Sequence, residues 1–147
     1  MNINVICVGK LKEKYWKDAC AEYLKRLSRF AKVAVIEVPE EPTVDREGVN
    51  ILNKVKDRDY VITLEINGKE LDSLKFAEKI EDLGVSGRSD ISFIIGGSDG
   101  LGKAVTERSD FALSFSKMTY PHQMMRVILL EQIYRAFKIN ANETYHK

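Results

Sequence analysis

A nearly continuous apolar run, Ile91-Ser92-Phe93-Ile94-Ile95, is followed at once by Gly96-Gly97. Short runs of this kind, closed by glycine, are typical of a strand that is buried on both faces. Such strands occur in parallel sheets that carry helices on either side. The run therefore predicts an α/β fold with a mostly parallel sheet at its centre.

The rest of the chain alternates between strand and helix in the same way. Strand patterns occupy residues 1–8, 33–38, 60–66 and 111–116, and a turn is predicted at Asn67-Gly68. Apolar residues at helical spacing follow at 16–27, 49–55, 74–83 and 121–137, with a short helical stretch before residue 111. Strands and helices that alternate five times predict an open sheet covered by helices on both faces.

Length and composition restrict the class of protein. The chain has 147 residues, of which 44% are hydrophobic and 31% charged, as expected of one globular domain. No apolar run is long enough to span a bilayer, and the apolar start meets Gly9-Lys10 instead of a cleavage site. We therefore predict a single cytoplasmic domain over residues 1–147 that makes no membrane contact.

Cysteine usage and charge narrow the function classes. Cys7 and Cys20 form neither a C-x-x-C pair nor a zinc-like cluster, so we expect two buried free thiols and no metal site. The net charge of +1 argues against a polycation that coats nucleic acid. Residues 10–32 are nevertheless locally basic, and this segment is either a surface that faces phosphates or a solvated helix face.

Loops at the carboxyl ends of parallel strands are the usual ligand sites of such sheets. Three loops qualify here, after Leu64, after Ile95 and after Phe115. The second, residues 96–103, is glycine-rich, which lets backbone N–H groups approach a ligand closely. It approximates a P-loop, but Ala104 replaces the hydroxyl that would hold Mg²⁺, and a G-x-G-x-x-G pattern fails at Val105. A tight turn without a ligand is the alternative.

The third loop leads into a helix that starts near Pro121. His122 lies in the first turn, and Arg126 follows one turn later on the same face. Histidine moves protons near neutral pH, so this pair is a candidate for orienting or deprotonating a substrate, with a capping role as the alternative. The chain ends in Tyr145-His146-Lys147, which indicates either a terminus that docks for function or a merely packed end.

Three separated motifs together resemble a known family. They are Phe93-Ile94-Ile95-Gly96-Gly97-Ser98-Asp99-Gly100-Leu101, then Leu113-Ser114-Phe115-Ser116-Lys117-Met118-Thr119-Tyr120-Pro121-His122-Gln123-Met124-Met125-Arg126, then Tyr134-Arg135-Ala136-Phe137-Lys138-Ile139 with Tyr145-His146-Lys147. In this order they resemble the 23S rRNA pseudouridine-N3 methyltransferases, the large-subunit methyltransferase H family of the SPOUT class. Val8-Gly9-Lys10-Leu11-Lys12 and Tyr15-Trp16 also fit, so the likeness covers essentially the whole chain.

The resemblance implies a Rossmann-like α/β domain whose C-terminal part, about residues 60–147, is threaded into a trefoil knot. It implies S-adenosylmethionine as the cofactor, bound by Leu64, Gly96, Phe115, Ser116, Lys117, Met118, Thr119 and Tyr120. It also implies a homodimer, in which the tail of one subunit, with Tyr145 and His146, completes the site of the other.

The implied reaction is methyl transfer, without a metal, to N3 of a pseudouridine in a 23S rRNA hairpin loop, with the assembled ribosome as substrate. His122, Arg126 and His146 are candidates for the group that assists loss of the N3 proton. Two other functions remain as alternatives. One is a ribosome- or RNA-binding module of the same fold without chemistry, and the other is a nucleotide hydrolase built on the near P-loop.

Overall fold

The computed structural model describes all residues from Met1 to Lys147. Five strands and five helices alternate along the chain, as the sequence predicts. In order they are β1 (Asn2–Val8), α1 (Lys14–Leu27), β2 (Lys32–Val38), α2 (Val44–Leu52), β3 (Tyr60–Glu70), α3 (Ser73–Val85), β4 (Asp90–Ile95), α4 (Lys103–Arg108), β5 (Phe111–Ser114) and α5 (His122–Asn140).

The strands form one parallel sheet in the order β2-β1-β4-β3-β5. The apolar run of β4 lies at its centre, between β1 and β3, and Ile91 to Ile95 are buried throughout. Because all strands point the same way, the loops that follow them open at one common edge. This edge is where the sequence places its candidate ligand loops.

Helices cover both faces of the sheet. On one face α5 packs against α1 and α3, and the larger apolar core there includes Phe76 and Leu129. On the other face α2 and α4 cover a smaller core around Val105. Cys7 and Cys20 are buried free thiols of the larger core, and burial raises the pKa of Cys7 to about 12. The α/β fold class is therefore confirmed.

The predicted turn at Asn67-Gly68 is wrong. β3 continues through both residues, with a shift of register against β5 between Leu64 and Lys69. Gly68 makes this pairing possible because a Cβ atom there would lie only 2.7 Å from the carbonyl oxygen of Ala112 on β5. The glycine therefore serves a close approach of two strands instead of a turn.

Two elements end earlier than predicted. α2 is capped by the Thr43 side chain, which accepts a hydrogen bond from the Arg46 N–H, and it ends before Val55. β5 ends at Ser114, so Ser116 belongs to the following loop. None of the helices combines the length and the apolar character needed to cross a membrane. The trefoil knot implied by the resemblance stays a prediction.

Candidate functional site

A cavity of about 550 Å³ opens at the carboxyl edge of the sheet. Its wall is formed by residues 64–67 of β3, by residues 95–101, by residues 113, 115–116 and 118–120, and by Thr106, His122 and Met125. The volume lies within the range of small-molecule sites in proteins. All three strand-end loops selected from the sequence thus meet at one cavity, although they are far apart in the chain.

Most of the predicted cofactor residues contribute to this wall. Those that line the cavity are Leu64, Gly96, Phe115, Ser116, Met118, Thr119 and Tyr120. Lys117 does not line it, and its side chain is exposed.

Local hydrogen bonds shape the loop between β5 and α5. The Ser114 hydroxyl donates to the carbonyl of Ser116 at 3.1 Å, and the Met118 N–H donates to the Ser116 hydroxyl at 2.7 Å. Such side-chain bonds hold a tight turn without secondary structure around it. The backbone of this loop is therefore presented to the cavity in a defined conformation.

The glycine-rich loop is shaped by its own backbone contacts. The Gly100 N–H donates to the carbonyl of Gly97 at 3.1 Å, and Gly100 has a φ of +79°, which favours glycine. A Cβ atom on Gly96 would lie 2.7 Å from the carbonyl oxygen of Gly100. Gly96 is thus required for the turn itself. Lys103, the lysine of the near P-loop, is exposed and pairs with Glu107 at 3.6 Å.

His122 lies in the cavity wall at the first turn of α5. Its Nδ1 atom is buried and has no hydrogen-bond partner in the protein. Buried polar atoms are nearly always hydrogen-bonded, so an unpaired one beside a cavity marks a position where a ligand can bond. Of the predicted catalytic residues, His122 is the one that lines the cavity.

Arg126 is turned away from the cavity and is fully buried. Its Nη1 lies 2.6 Å from Oε2 of Glu37, and its Nη2 donates to the carbonyl of Gly9 at 2.6 Å. Glu37 also accepts from the Leu11 N–H at 3.0 Å. Burial acts to raise the pKa of Glu37, but the bonds from Arg126 and Leu11 together hold it below its usual value. In this position Arg126 holds the loop between β1 and α1. The predicted contact of Arg126 with the substrate is not favoured.

The C-terminal tail folds onto α5 of its own chain. The Tyr145 hydroxyl donates to Glu131 at 2.9 Å, and Nη1 of Arg135 lies 3.0 Å from Nδ1 of His146. Burial, with a smaller contribution from the Glu131 carboxylate, raises the pKa of Tyr145 to about 12, so the phenol is neutral at physiological pH. Neither tail residue lines the cavity. A rise of about 1.5 Å per residue puts Glu131 about 13 Å along the helix axis from His122.

A second set of contacts orders the start of the tail. Asn142 adopts a φ of 55°, and the Glu143 N–H donates back to the carbonyl of Lys138, which closes the end of α5. The Glu143 carboxylate accepts two bonds from Arg29 at 3.0 and 3.1 Å. Glu143 is not among the candidate residues that the sequence motifs indicate. The tail is therefore an ordered part of the fold.

The charged side chains of the cavity wall are mainly acidic. Glu65 and Asp99 line it together with His122, and no lysine or arginine does so. Glu65 was missed in the sequence, although it directly follows Leu64 at a predicted strand end. No group of three or more His, Cys, Asp or Glu side chains in the structure is arranged to hold a metal ion.

Comparison with known protein families matches residues 1–146 to the family described as "Predicted SPOUT methyltransferase". Curated relatives align over their whole length and over the whole of this chain. Ribosomal RNA large subunit methyltransferase H of Lactobacillus acidophilus is 54% identical, and the protein of the same name in Clostridium novyi is 56% identical. A putative methyltransferase H of Methanococcus maripaludis is also 56% identical.

Solved structures with a similar fold are much more distant in sequence. A probable methylase family protein from Haemophilus influenzae is 14% identical with a TM-score of 0.58, over 99% of this chain and 70% of that one. The SpoU methyltransferase AviRb from Streptomyces viridochromogenes, solved with the cofactor AdoMet, is 12% identical with a TM-score of 0.50, over 95% of this chain and 58% of that one. These two likenesses support the fold, and the family match covers nearly every residue. The chain belongs to the SPOUT methyltransferase family.

Proposed function

We propose that this protein is an S-adenosylmethionine-dependent methyltransferase that methylates N3 of a pseudouridine in 23S rRNA. The observation that carries the proposal is the meeting of Leu64, Gly96 and the loop 115–120 at one cavity. Family membership and relatives named as ribosomal RNA large subunit methyltransferases support the same activity.

The cavity suits the proposed cofactor. Leu64 and Leu101 supply apolar walls, and the backbone of the loop 115–120 supplies groups that can read the edge of an adenine. The unpaired Nδ1 of His122 offers a further polar contact. When bound, S-adenosylmethionine supplies an electrophilic methyl group, so the protein needs mainly to hold the reactants in line.

The N3 atom of pseudouridine carries a proton that must leave during methylation. Of the candidates for this step, His122 is the one in the cavity wall, and we assign it the role of accepting the proton or stabilising the developing anion. Arg126 has a structural role in this proposal and does not contact the substrate, because its guanidinium is hydrogen-bonded to Glu37 and to the carbonyl of Gly9. His146 can take part in this step only if the C-terminal tail of one subunit reaches the cavity of another.

Tyr145 and His146 are held along α5 and away from the cavity of their own chain. A homodimer resolves this separation if the tail of each subunit enters the site of the other. The tail is suited to such a role because its contacts with Glu131, Arg135 and Arg29 order it before any partner binds.

The assembled ribosome in the cytoplasm is the proposed substrate. Affinity for free RNA rests largely on neutralising phosphates, and a small domain with a net charge of +1 has little to offer in this respect. Recognition of the folded ribosome by shape removes the need for a large basic surface.

With labelled S-adenosylmethionine, ribosomes that lack the modification should incorporate methyl at least about tenfold faster than naked 23S rRNA, because naked RNA binds mainly through phosphate contacts. Mapping of the labelled base should then identify N3 of one pseudouridine. Equal labelling of both substrates would contradict recognition by shape. An absence of labelling on either would contradict the proposed function.

Changing Gly96 to alanine should weaken S-adenosylmethionine binding by about tenfold or more, because a Cβ atom 2.7 Å from the Gly100 carbonyl must displace the loop. Isothermal titration calorimetry measures the change. Gly87→Ala is the matched control, since Gly87 has a φ of +84° but lies away from the cavity with nothing within 4 Å. Unchanged binding by Gly96→Ala would argue against this loop as part of the cofactor site.

A further inference from the structure

We propose that Glu65 makes the cavity discriminate between the cationic cofactor and its neutral product. This inference rests on the proposed function, because it concerns the same cavity. It assigns to one side chain a task that neither the family match nor the names of the relatives specify.

Glu65 is held in place by a short chain of hydroxyl groups. The Thr63 hydroxyl, which is fully buried, donates to Oε2 of Glu65 at 2.6 Å. The oxygen of the Ser109 hydroxyl lies 2.7 Å from that of Thr63. Because Thr63 has a single hydroxyl proton and gives it to Glu65, Ser109 must be the donor to Thr63. The carboxylate is thus oriented from behind by neutral groups.

The Glu65 carboxylate forms no ion pair in the protein. Some half-buried acids pair with arginine, as Glu131 does with Arg135 at 2.7 Å. The buried acids Glu47 and Asp59 have no cation either, but each accepts a backbone N–H bond and neither lines the cavity. Glu65 has no lysine, arginine or histidine nitrogen within 4 Å, although it is half-buried. A partly desolvated carboxylate without a cation is costly, and a cationic ligand in the cavity would offset that cost.

The cofactor and its product differ in the charge that such a group can sense. S-adenosylmethionine carries a sulfonium, an ammonium and a carboxylate, so its net charge is positive. In methyl transfer the bond from sulfur to methyl breaks, sulfur keeps the electron pair as a neutral thioether, the methyl group bonds to N3, and the N3 proton leaves to a base. S-adenosylhomocysteine therefore has no net charge. An uncompensated carboxylate in the cavity wall attracts the first molecule more strongly than the second.

Isothermal titration calorimetry on the whole protein tests this directly. Glu65→Gln should weaken S-adenosylmethionine binding by about tenfold and S-adenosylhomocysteine binding by less than about twofold, because only the cation loses a Coulombic partner. Sinefungin, which carries an amine in place of the sulfonium, should follow S-adenosylmethionine. Glu65→Asp keeps the charge and should retain most of the preference. Asp99→Asn is the matched control, because Asp99 lines the same cavity but is exposed and screened by water.

Four results would overturn the inference. An equal loss for cofactor and product in Glu65→Gln would assign the carboxylate to a shared part of the two ligands, such as the ribose. An equal shift in Asp99→Asn would assign the preference to the general charge of the cavity. If the ratio of the affinities for S-adenosylmethionine and S-adenosylhomocysteine were the same in every variant as in the wild type, Glu65 would have no effect on the preference. Intact cofactor binding in that case would leave the proposed function supported. A folded wild-type protein that binds neither ligand would reject both proposals.

Discussion

Replacing Arg126 with methionine should lower the free energy of unfolding by about 3 kcal/mol, the lower end of what breaking a buried ion pair costs. Methionine fills much of the same volume, but it leaves Glu37 without its cation and the Gly9 carbonyl without its 2.6 Å donor. Glu37 is 36% exposed, so water recovers part of the loss. Urea unfolding followed by circular dichroism measures the difference.

Arg26→Met is the matched control for this change. Arg26 also pairs with a glutamate, Glu22 at 2.7 Å, but both side chains are exposed, and we expect a much smaller loss of stability than in Arg126→Met. Losses of the same size in the two variants would contradict the structural role of Arg126.

Lowering the pH should reduce the difference in free energy of unfolding between the wild type and Arg126→Met. The pKa of Glu37 is lowered in the folded protein, so its contribution is present above the unfolded-state pKa and is lost as the pH falls through the folded-state value. Arg126→Met lacks most of that contribution at every pH. If the difference in free energy of unfolding stayed constant until the proteins unfold in acid, the stabilisation would not depend on the ionised Glu37.

Deleting Tyr145 to Lys147 should reduce methyl transfer by about a hundredfold or more while it leaves S-adenosylmethionine affinity within about twofold, since misplacing groups at the reacting centre is costly. The tail does not line the cavity of its own chain, so cofactor binding there does not need it. Single-turnover transfer of labelled methyl and calorimetry measure the two effects. Removal of Lys147 alone, which is exposed and makes no hydrogen bond in the structure, is the control.

Mixed dimers separate the two ways in which the tail can act. At a concentration of S-adenosylmethionine well below its Kd for Gly96→Ala, both variants alone are expected to transfer methyl slowly, the truncated one for lack of its tail and Gly96→Ala for lack of bound cofactor. If the tail acts across the dimer, the mixed pair contains one intact cavity served by one intact tail, and activity returns. Activity that stays absent in mixtures, or full activity in the truncated protein, would contradict the proposed exchange of tails.

Periodicity and residue type were sufficient to predict the elements and the sheet. The apolar run of β4, closed by Gly96-Gly97, indicated a strand buried on both faces, and β4 indeed lies at the centre of the sheet. The strand-end rule then selected three loops that the structure brings to one cavity. These inferences succeed because burial and backbone geometry impose short periods on a sequence.

Other features depend on contacts between distant residues, which one sequence does not record. Asn67-Gly68 has the composition of a turn, yet both residues lie within β3, where a Cβ atom on Gly68 would come within 2.7 Å of the Ala112 carbonyl oxygen of β5. Arg126 shares a helix face with His122, but Glu37 on a distant strand draws its guanidinium into the interior. Glu65 can be selected as a ligand-binding residue only from the structure, which shows it in a cavity wall that contains no lysine or arginine.

The position of β1 between β2 and β4 affects how this protein acquires its structure. β1 can pair with β2 soon after both are synthesised, but its other edge pairs from Asn2 with Asp90 to Cys7 with Ile95, far later in the chain. Until then the amino-terminal half has an unprotected strand edge, which is a site for unwanted association. Contacts between distant residues also slow folding. The middle third of the polypeptide thus controls when the first third becomes stable.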